Sequence, residues 1–471
     1  MIYHQLLALA KHPQRVIAGV IGCGDFGKAI VAQGHCVPRL KIPIVADIRP
    51  ENARQAYQLA GIPDDAIVIC ESRTAALHAM ESGKSVIVED ALLLMDLPLQ
   101  VIVSATRSPE AGARYAFEAI RHGKHVVMVD KEADSVVGPI LKQLADRAGV
   151  VFTTEDGDEP GLMMGLVGWA RSLGLEVLAA GHTHACTLDP RTWTADNGHR
   201  TSVVAESDRW ALGRIPPGEA PRFAEARRRL FADFEVDEHC GDPMCHLAVM
   251  ANGTGLLPDS PVGHRPVVRW RELPDVLSPR EEGGILGRRG VVDTPAILTT
   301  RDEPHASGSI FVVVAPGNKH GLDTMIAKGL MANSRHTAAV AYRPYHLCGS
   351  ETPISILCAG LLGVPTGAEE PRPLIDIVCR AGRDFRAGEV IGPSGNSGWN
   401  YDLRASLAPG FEVRPGAPLP FFMLEGNRLS QDVPAGSAFT WDMLVPPVGS
   451  TLWSLRRQQD DYFLSGPPPV R

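Results

Sequence analysis

No stretch of the 471 residues approaches the ~20 consecutive apolar residues that a membrane-spanning helix needs, so a membrane is not expected among the partners. Positive charge is also scarce. Against 54 Asp and Glu there are 46 Lys and Arg, a formal net charge of -8, which leaves no general attraction for nucleic-acid phosphates or anionic lipid. A disulfide framework is missing too, because nine cysteines at irregular spacing in a long chain suit free thiols in a reducing compartment. The opening MIYHQLLALAKHP has an apolar patch, yet no basic region precedes it and no small-residue cleavage site follows, so no secretory signal is expected. A cytoplasmic protein is the expectation. Internal repeats and long low-complexity segments are lacking as well.

What the chain does contain is ample core material. With 44% hydrophobic and 21% charged residues it reads as globular, and its length predicts two or three domains. In the first third, continuously apolar runs alternate with helical patterns. Arg15 to Ile21, Ile42 to Ala46, Ala66 to Ile69, Ser85 to Val88, Val101 to Ser104 and His125 to Val129 are the strand candidates, and helices are expected from Phe26 and over ENARQAYQLA. Runs apolar on consecutive residues suit strands buried on both faces, which predicts a doubly wound parallel sheet, an α/β fold, over 1–160. An α/β substrate domain is expected over 161–366, with a polar, Arg-rich insertion near 189–229. The Gly-, Pro- and acid-rich GVPTGAEEPRPL reads as a linker, 372–447 as a small β-rich module, and 448–471 as a tail.

The stretch VIGCGDFGK supplies the first chemistry. Gly22, Gly24 and Gly27 follow a strand candidate and precede a helical pattern, the context in which G-x-G-x-x-G cradles a dinucleotide. Gly22 permits the tight turn, Gly24 the approach of a pyrophosphate, and Gly27 the close packing of helix on strand, while Asp25 and Phe26 sit in the loop between. The helix N-terminus offers N–H groups to phosphate. Asp47, twenty residues beyond Gly27, suits the adenosine ribose and favours NAD, whereas Arg49 suits the extra phosphate of NADP. Ala105 and Thr106, at another strand end, are candidates to pass beside the nicotinamide. A buried strand candidate then ends at Asp130-Lys131, where a partly desolvated lysine can exchange a proton with a carbonyl or hydroxyl oxygen.

Several stretches together resemble a known group: VIGCGDFG, VVMVDKEAD, EDGDEPGLMMGLVGWARSLGLEVLAAG, MANGTGLLPD, YRPYHLCGSETPISI, GVPTGA, CRAGRDFRAGEVI and LSQDVPAGSAFTW. The chain resembles the homoserine dehydrogenase-like oxidoreductases that carry a C-terminal SAF domain, the group that includes the deoxyxylulose phosphate reductoisomerase-like enzymes. The resemblance implies a Rossmann domain, an α/β substrate domain and a β-clip SAF module. It also implies nicotinamide-dependent chemistry on a small polar carbonyl or hydroxyl compound, with NADP favoured over NAD, and a homo-oligomer is expected. Reductoisomerases of this kind join an α-ketol carbon shift to reduction by NADPH.

Two departures change the pocket. Where such relatives read AGKGTKYLP, this chain has Ala180-Gly181-His182-Thr183-His184-Ala185-Cys186, and where they read DGTK it has Asp237-Glu238-His239-Cys240-Gly241-Asp242-Pro243-Met244-Cys245-His246. Lysines are lost, so an anion clamp made by them is not carried over. His182, His184, His239, Cys240, Asp242, Cys245 and His246 are instead the metal-ligand candidates, with H-x-H on a strand placing two imidazoles on one face. Their spacings match no zinc pattern, and the alternative is a set of hydrogen-bonding histidines without metal. His182 is also the candidate to take over lysine's catalytic part. Asp158 and Glu159 of GDEP are candidates to bind substrate hydroxyls or orient Lys131, the alternative being an acidic turn. His184, Tyr342, Arg343 and His346 are candidates for substrate contact, the alternative for YRPYH being an interface. The functional expectation is an NAD(P)-dependent oxidoreductase or reductoisomerase acting on a hydroxylated keto compound or sugar-derived acid. The alternatives are a hydroxy acid dehydrogenase without rearrangement and a dinucleotide-binding regulator without turnover.

Overall fold

In a computed structural model the described residues are 15–232, 234, 241–304, 306–392 and 402–464, with 5, 7 and 8. Strands β1 (Val16–Ile21), β2 (Leu40–Ala46), β3 (Ile67–Ile69), β4 (Ser85–Val88), β5 (Val101–Ser104), β6 (His125–Met128) and β7 (Phe152–Thr154) form one sheet in the order β3-β4-β2-β1-β5-β6-β7. Every pairing in it is parallel. Consecutive side chains of β5 show why the runs are apolar throughout: Val101 and Val103 enter one core cluster and Ile102 the other, on the opposite face. Helices α1 (Asp25–His35) and α2 (Pro50–Leu59) cover the first face, while α3 (Arg73–Glu81), α4 (Pro109–Arg121) and α5 (Lys131–Ala148) cover the second. This is the doubly wound Rossmann-type sheet expected from the sequence. The strand order reverses between β1 and β5, and a crevice at the carboxyl ends of those strands is where such sheets bind ligands.

Helix α6 (Glu159–Ser172) leads into two further sheets that share two strand-to-strand passages. Strand β8 (Glu176–His182) continues through Thr183 into β9 (His184–Asp189), and β13 (Val291–Asp293) continues through Thr294 and Pro295 into β14 (Ala296–Thr300). The first members pair in parallel in one sheet and the second members in the other, so two strands turn the corner side by side. Gly181 makes that turn possible, because a Cβ there would lie 1.8 Å from the Asp293 carbonyl oxygen. Strands β15 (Ile310–Ala315), β16 (Met331–Ala332) and β17 (Ala339–Arg343) complete the first of these sheets. The polar stretch near 189–229 supplies β10 (Thr194–Asp196), β11 (Thr201–Val203) and α7 (Ala220–Leu230), which enclose a small core of Leu188, Ala195, Val204, Leu212 and Phe231.

Helix α8 (Gly241–Thr254) packs on α5 and α6. Beyond it, β18 (Ile375–Ala381) and β19 (Leu403–Pro409) pair antiparallel, and bridges such as Phe385 to Val433 close a compact β-rich module. The segment read as a tail carries a helix, α12 (Thr451–Phe463), docked on α4 and α5. The Glu110 carboxylate accepts from the backbone N–H of Thr451 (2.7 Å) and Leu452 (3.2 Å), satisfying the positive end of α12. Gln459, 1% exposed, braces α5. Pro139 lies inside that helix and lacks an N–H, and Gln459 donates to the Val136 carbonyl (2.9 Å) and accepts from the Ile140 N–H (3.2 Å) beside the proline.

Candidate active site

The Gly-rich loop takes the form its sequence requires. Gly22 has φ +92°, and a Cβ on it would meet the Ala105 carbonyl oxygen at 2.2 Å; one on Gly27 would meet the Gly22 carbonyl oxygen at 2.0 Å. Gly24, the N-cap of α1, differs from both: nothing lies within 4 Å of where its Cβ would be. Its bare backbone faces open space, as a residue approached by a phosphate must. Asp47 closes the loop from below, its Oδ2 accepting from Cys23 N–H at 2.6 Å and its Oδ1 from Arg49 N–H at 2.8 Å.

Across the crevice, the loop after β5 is held by a residue that the sequence marks only as a strand end. Asp130, 1% exposed, accepts from Ser104 Oγ (2.5 Å), Thr106 Oγ1 (3.2 Å) and Arg107 N–H (2.6 Å), and Arg107 sits at φ +62°. Three bonds to one buried carboxyl fix Ala105 and Thr106 opposite the Gly-rich loop. The strand expected to run to Asp130-Lys131 stops at Met128, and Lys131 is the first residue of α5. Acids crowd that first turn, Glu132 and Asp134, as the helix dipole favours.

One cleft is lined by Gly24, Asp25, Phe26, Gly27, Ala105, Arg107, Asp130, Lys131 and Asp158. Lys131 Nζ lies 3.7 Å from Asp158 Oδ2 and 5.8 Å from the centre of the Phe26 ring. Asp158 is the N-cap of α6 and accepts from the Glu159 N–H at 2.9 Å. Burial alone would raise its pKa, but the Lys131 charge and that hydrogen bond hold it well below the usual carboxylate range. Glu159 goes the other way, raised well above its ordinary value by burial and by the Asp158 charge. Glu155, another buried carboxyl that received no role from sequence, is pushed up to about 8 by burial and then by Asp158, while Thr352 donates to it. Adjacent carboxyls driven apart in this way mark a site able to keep one ionised and one protonated.

A histidine cluster adjoins them. The His182 ring centre lies 5.2 Å from that of His184 and 5.1 Å from that of His246. His246 Nε2 is 3.8 Å from Glu159 Oε2, and His346 Nε2 is 3.7 Å from Glu159 Oε1. Burial, and then the neighbouring imidazoles of His246 and His184, push the His182 pKa well below its usual value, so the ring is neutral at neutral pH. The two histidines of H-x-H lie in different sheets, on either side of the Thr183 turn, yet their rings converge. His346 is fixed by a 2.7 Å contact of Nδ1 with the Gly308 carbonyl, and a Cβ at Gly308 would lie 2.1 Å from its ring.

Not every sequence candidate arrives here. Tyr342 stacks on Trp270 with ring centres 4.2 Å apart, and Arg343 bonds Glu351 at 2.6 Å, which serves packing between elements. Cys245 is packed in the hydrophobic core while its neighbour His246 reaches the cluster. His239 and Cys240, and the side chain of Asp242, lie outside the described residues.

Residues 157–352, which contain Asp158, Glu159 and the histidine cluster, match a family described as oxidoreductase DRL, catalytic domain. No curated protein matches the sequence. Among solved structures the chain is similar to KijD10, a 3-ketoreductase from Actinomadura kijaniata in complex with NADP and TDP-benzene, at 15% identity, TM-score 0.25, over 38% of this chain and 49% of that one. It is also similar to biliverdin reductase from Synechocystis sp. PCC 6803 in complex with biliverdin and NADP+ (19%, TM-score 0.25, over 38% and 49%). A third is apo scyllo-inositol dehydrogenase from Lactobacillus casei (12%, TM-score 0.26, over 37% and 46%). The chain spans about half the length of these structures. Likenesses this distant carry no chemistry across. A segment similar to an oxidoreductase catalytic domain thus follows directly on a Rossmann sheet in this chain.

Proposed function

We propose that the protein is an NAD(P)-dependent oxidoreductase that passes hydride between a nicotinamide and a carbon of a small hydroxylated keto compound or sugar-derived acid. The observation that carries the reading is the single cleft in which Gly24, open to an incoming ligand, shares walls with Lys131 and Asp158. The Gly-rich loop and the α1 N-terminus would hold the phosphates of a dinucleotide, with the Asp130-braced loop and Lys131 on walls of the same cleft. A bound nicotinamide would supply or take up the hydride at the carbon; in reduction Lys131 would give the carbonyl oxygen its proton, and in oxidation it would take that proton back. Asp158, kept ionised, holds the lysine side chain in place.

The finer reading is a reductoisomerase of the SAF-bearing, homoserine dehydrogenase-like kind, assembled as a homo-oligomer. Its support is the SAF-like sequence of the β-rich module and the cluster beside Asp158, since an α-ketol shift needs groups that hold two oxygens at once. Either cofactor form is within the proposal: the Asp47 carboxylate at the end of β2 suits a free ribose and Arg49 beside it a 2′-phosphate.

The test uses Gly24→Val. Space around this position lets the variant fold, while the added side chain occupies the phosphate approach. Calorimetric titration with NADH and NADPH should show binding to the parent and a loss of at least about 100-fold, ~2.7 kcal/mol, in the variant. Equal binding by both, or no binding by the parent, overturns the proposal.

A further inference from the structure

We propose that Glu159, His182 and His246 form a three-ligand site for a borderline divalent transition ion of the zinc class. One oxygen of Glu159 and one nitrogen from each ring lie within 4.8 Å of one another. All three residues are nearly inaccessible, at 8%, 2% and 6% exposure. Three such groups turned toward one another in a water-poor pocket are costly unless hydrogen-bonded or gathered around a cation. At His182 the hydrogen-bonding explanation falls short. His182 Nε2 is buried with no hydrogen-bond partner among the described residues, and the separation of 3.8 Å between His246 Nε2 and Glu159 Oε2 is too long for a hydrogen bond. It is close to the edge of a ligand tetrahedron, which metal–nitrogen and metal–oxygen bonds of about 2.0–2.1 Å set at about 3.3 Å.

The backbone supports the arrangement from three directions. Glu159 opens α6, His182 ends β8 beside the Thr183 turn, and His246 lies on α8, which packs on α6. His346 lies on the far side of Glu159, its Nε2 3.7 Å from Oε1 and its Nδ1 2.7 Å from the Gly308 carbonyl. Two imidazoles and one carboxylate select zinc-class ions over magnesium, which prefers oxygen and keeps its waters. Three protein ligands leave a position open, as in catalytic rather than structural sites. On the hydride-transfer reading above, on which this step rests, an ion there would polarise a substrate oxygen next to the Lys131–Asp158 pair.

The full-length chain, stripped with a chelator, is titrated with cobalt(II) alone as a spectroscopic probe. The expected result is one equivalent bound with intense visible bands, displaced by zinc and not by excess magnesium, and lost in both Glu159→Gln and His246→Asn. Thermal melts separate misfolding from ligand loss: a folded variant without the bands supports the site, and cobalt should raise the parent's melting temperature but not the variants'. Absence of bands in the parent, their persistence in both variants, or displacement by magnesium overturns it. So does a thiolate charge-transfer band lost in Cys348→Ser, which would place the ion on Asp158, His346 and Cys348 instead. Dinucleotide binding is measured separately, so that cobalt bands without it count against the hydride-transfer reading alone.

Discussion

The ammonium of Lys131 stands 3.7 Å from the carboxylate of Asp158, across a cleft whose opposite wall is the Gly-rich loop. Both groups are largely shielded, with side-chain exposures of 14% and 5%, so their attraction is only weakly screened. On the proposed hydride-transfer reading, that pairing would supply a cation of fixed position for the transferred proton.

Lys131→Ala should lower kcat by about 10²- to 10⁴-fold, the range for a lost general acid, while dinucleotide affinity changes little. Stopped-flow absorbance of the nicotinamide with calorimetric binding checks both. An unchanged kcat would remove Lys131 from the proton-transfer step.

Asp134 makes stability pH-dependent. It is buried on α5, accepts from Thr154 Oγ1 at 2.7 Å, and burial pushes its pKa to about 6 despite that bond. Because the raised value means that the folded state binds the proton more tightly, the stabilisation is complete below the unfolded value of about 3.9 and is lost as pH rises through about 6. Asp134→Asn should therefore be more stable than the parent at neutral pH, by up to about 3 kcal/mol, and equal to it near pH 4. Urea denaturation at several pH values reads this difference.

Gln459→Ala should cost about 1–3 kcal/mol, because it removes two buried hydrogen bonds between the Gln459 amide and the backbone of α5. Chemical denaturation measures the loss, and a cost below about 0.5 kcal/mol would mean that these bonds do not brace α5.

The Rossmann sheet was legible because its signal is local. A strand covered on both faces must be apolar at every position, and Ser85–Val88 and Val101–Ser104 come out with the expected ends. The glycine fingerprint was legible for the same reason, each glycine answering a steric demand of its own turn. Lys131 lines the cleft but begins a helix instead of ending a strand, which the acids at Glu132 and Asp134 signal. Glu159, read as a possible hydroxyl ligand or turn residue, could not be joined to His182 and His246, because that meeting depends on how α6, β8 and α8 pack. The contact of Tyr342 with Trp270 was hidden for a related cause: an aromatic beside an arginine has the same composition whichever neighbour it stacks on. Asp130 left a trace in the sequence, an acid at a strand end, but its three bonds to the neighbouring loop are visible only in space.

Gln459 donates across 323 residues of chain and accepts across 319 to brace the helix that Lys131 begins. The Rossmann sheet therefore does not own all of its scaffolding. An excised fragment of residues 1–160 would keep the Gly-rich loop and the lysine, yet lose both bonds that brace the lysine's helix beside Pro139.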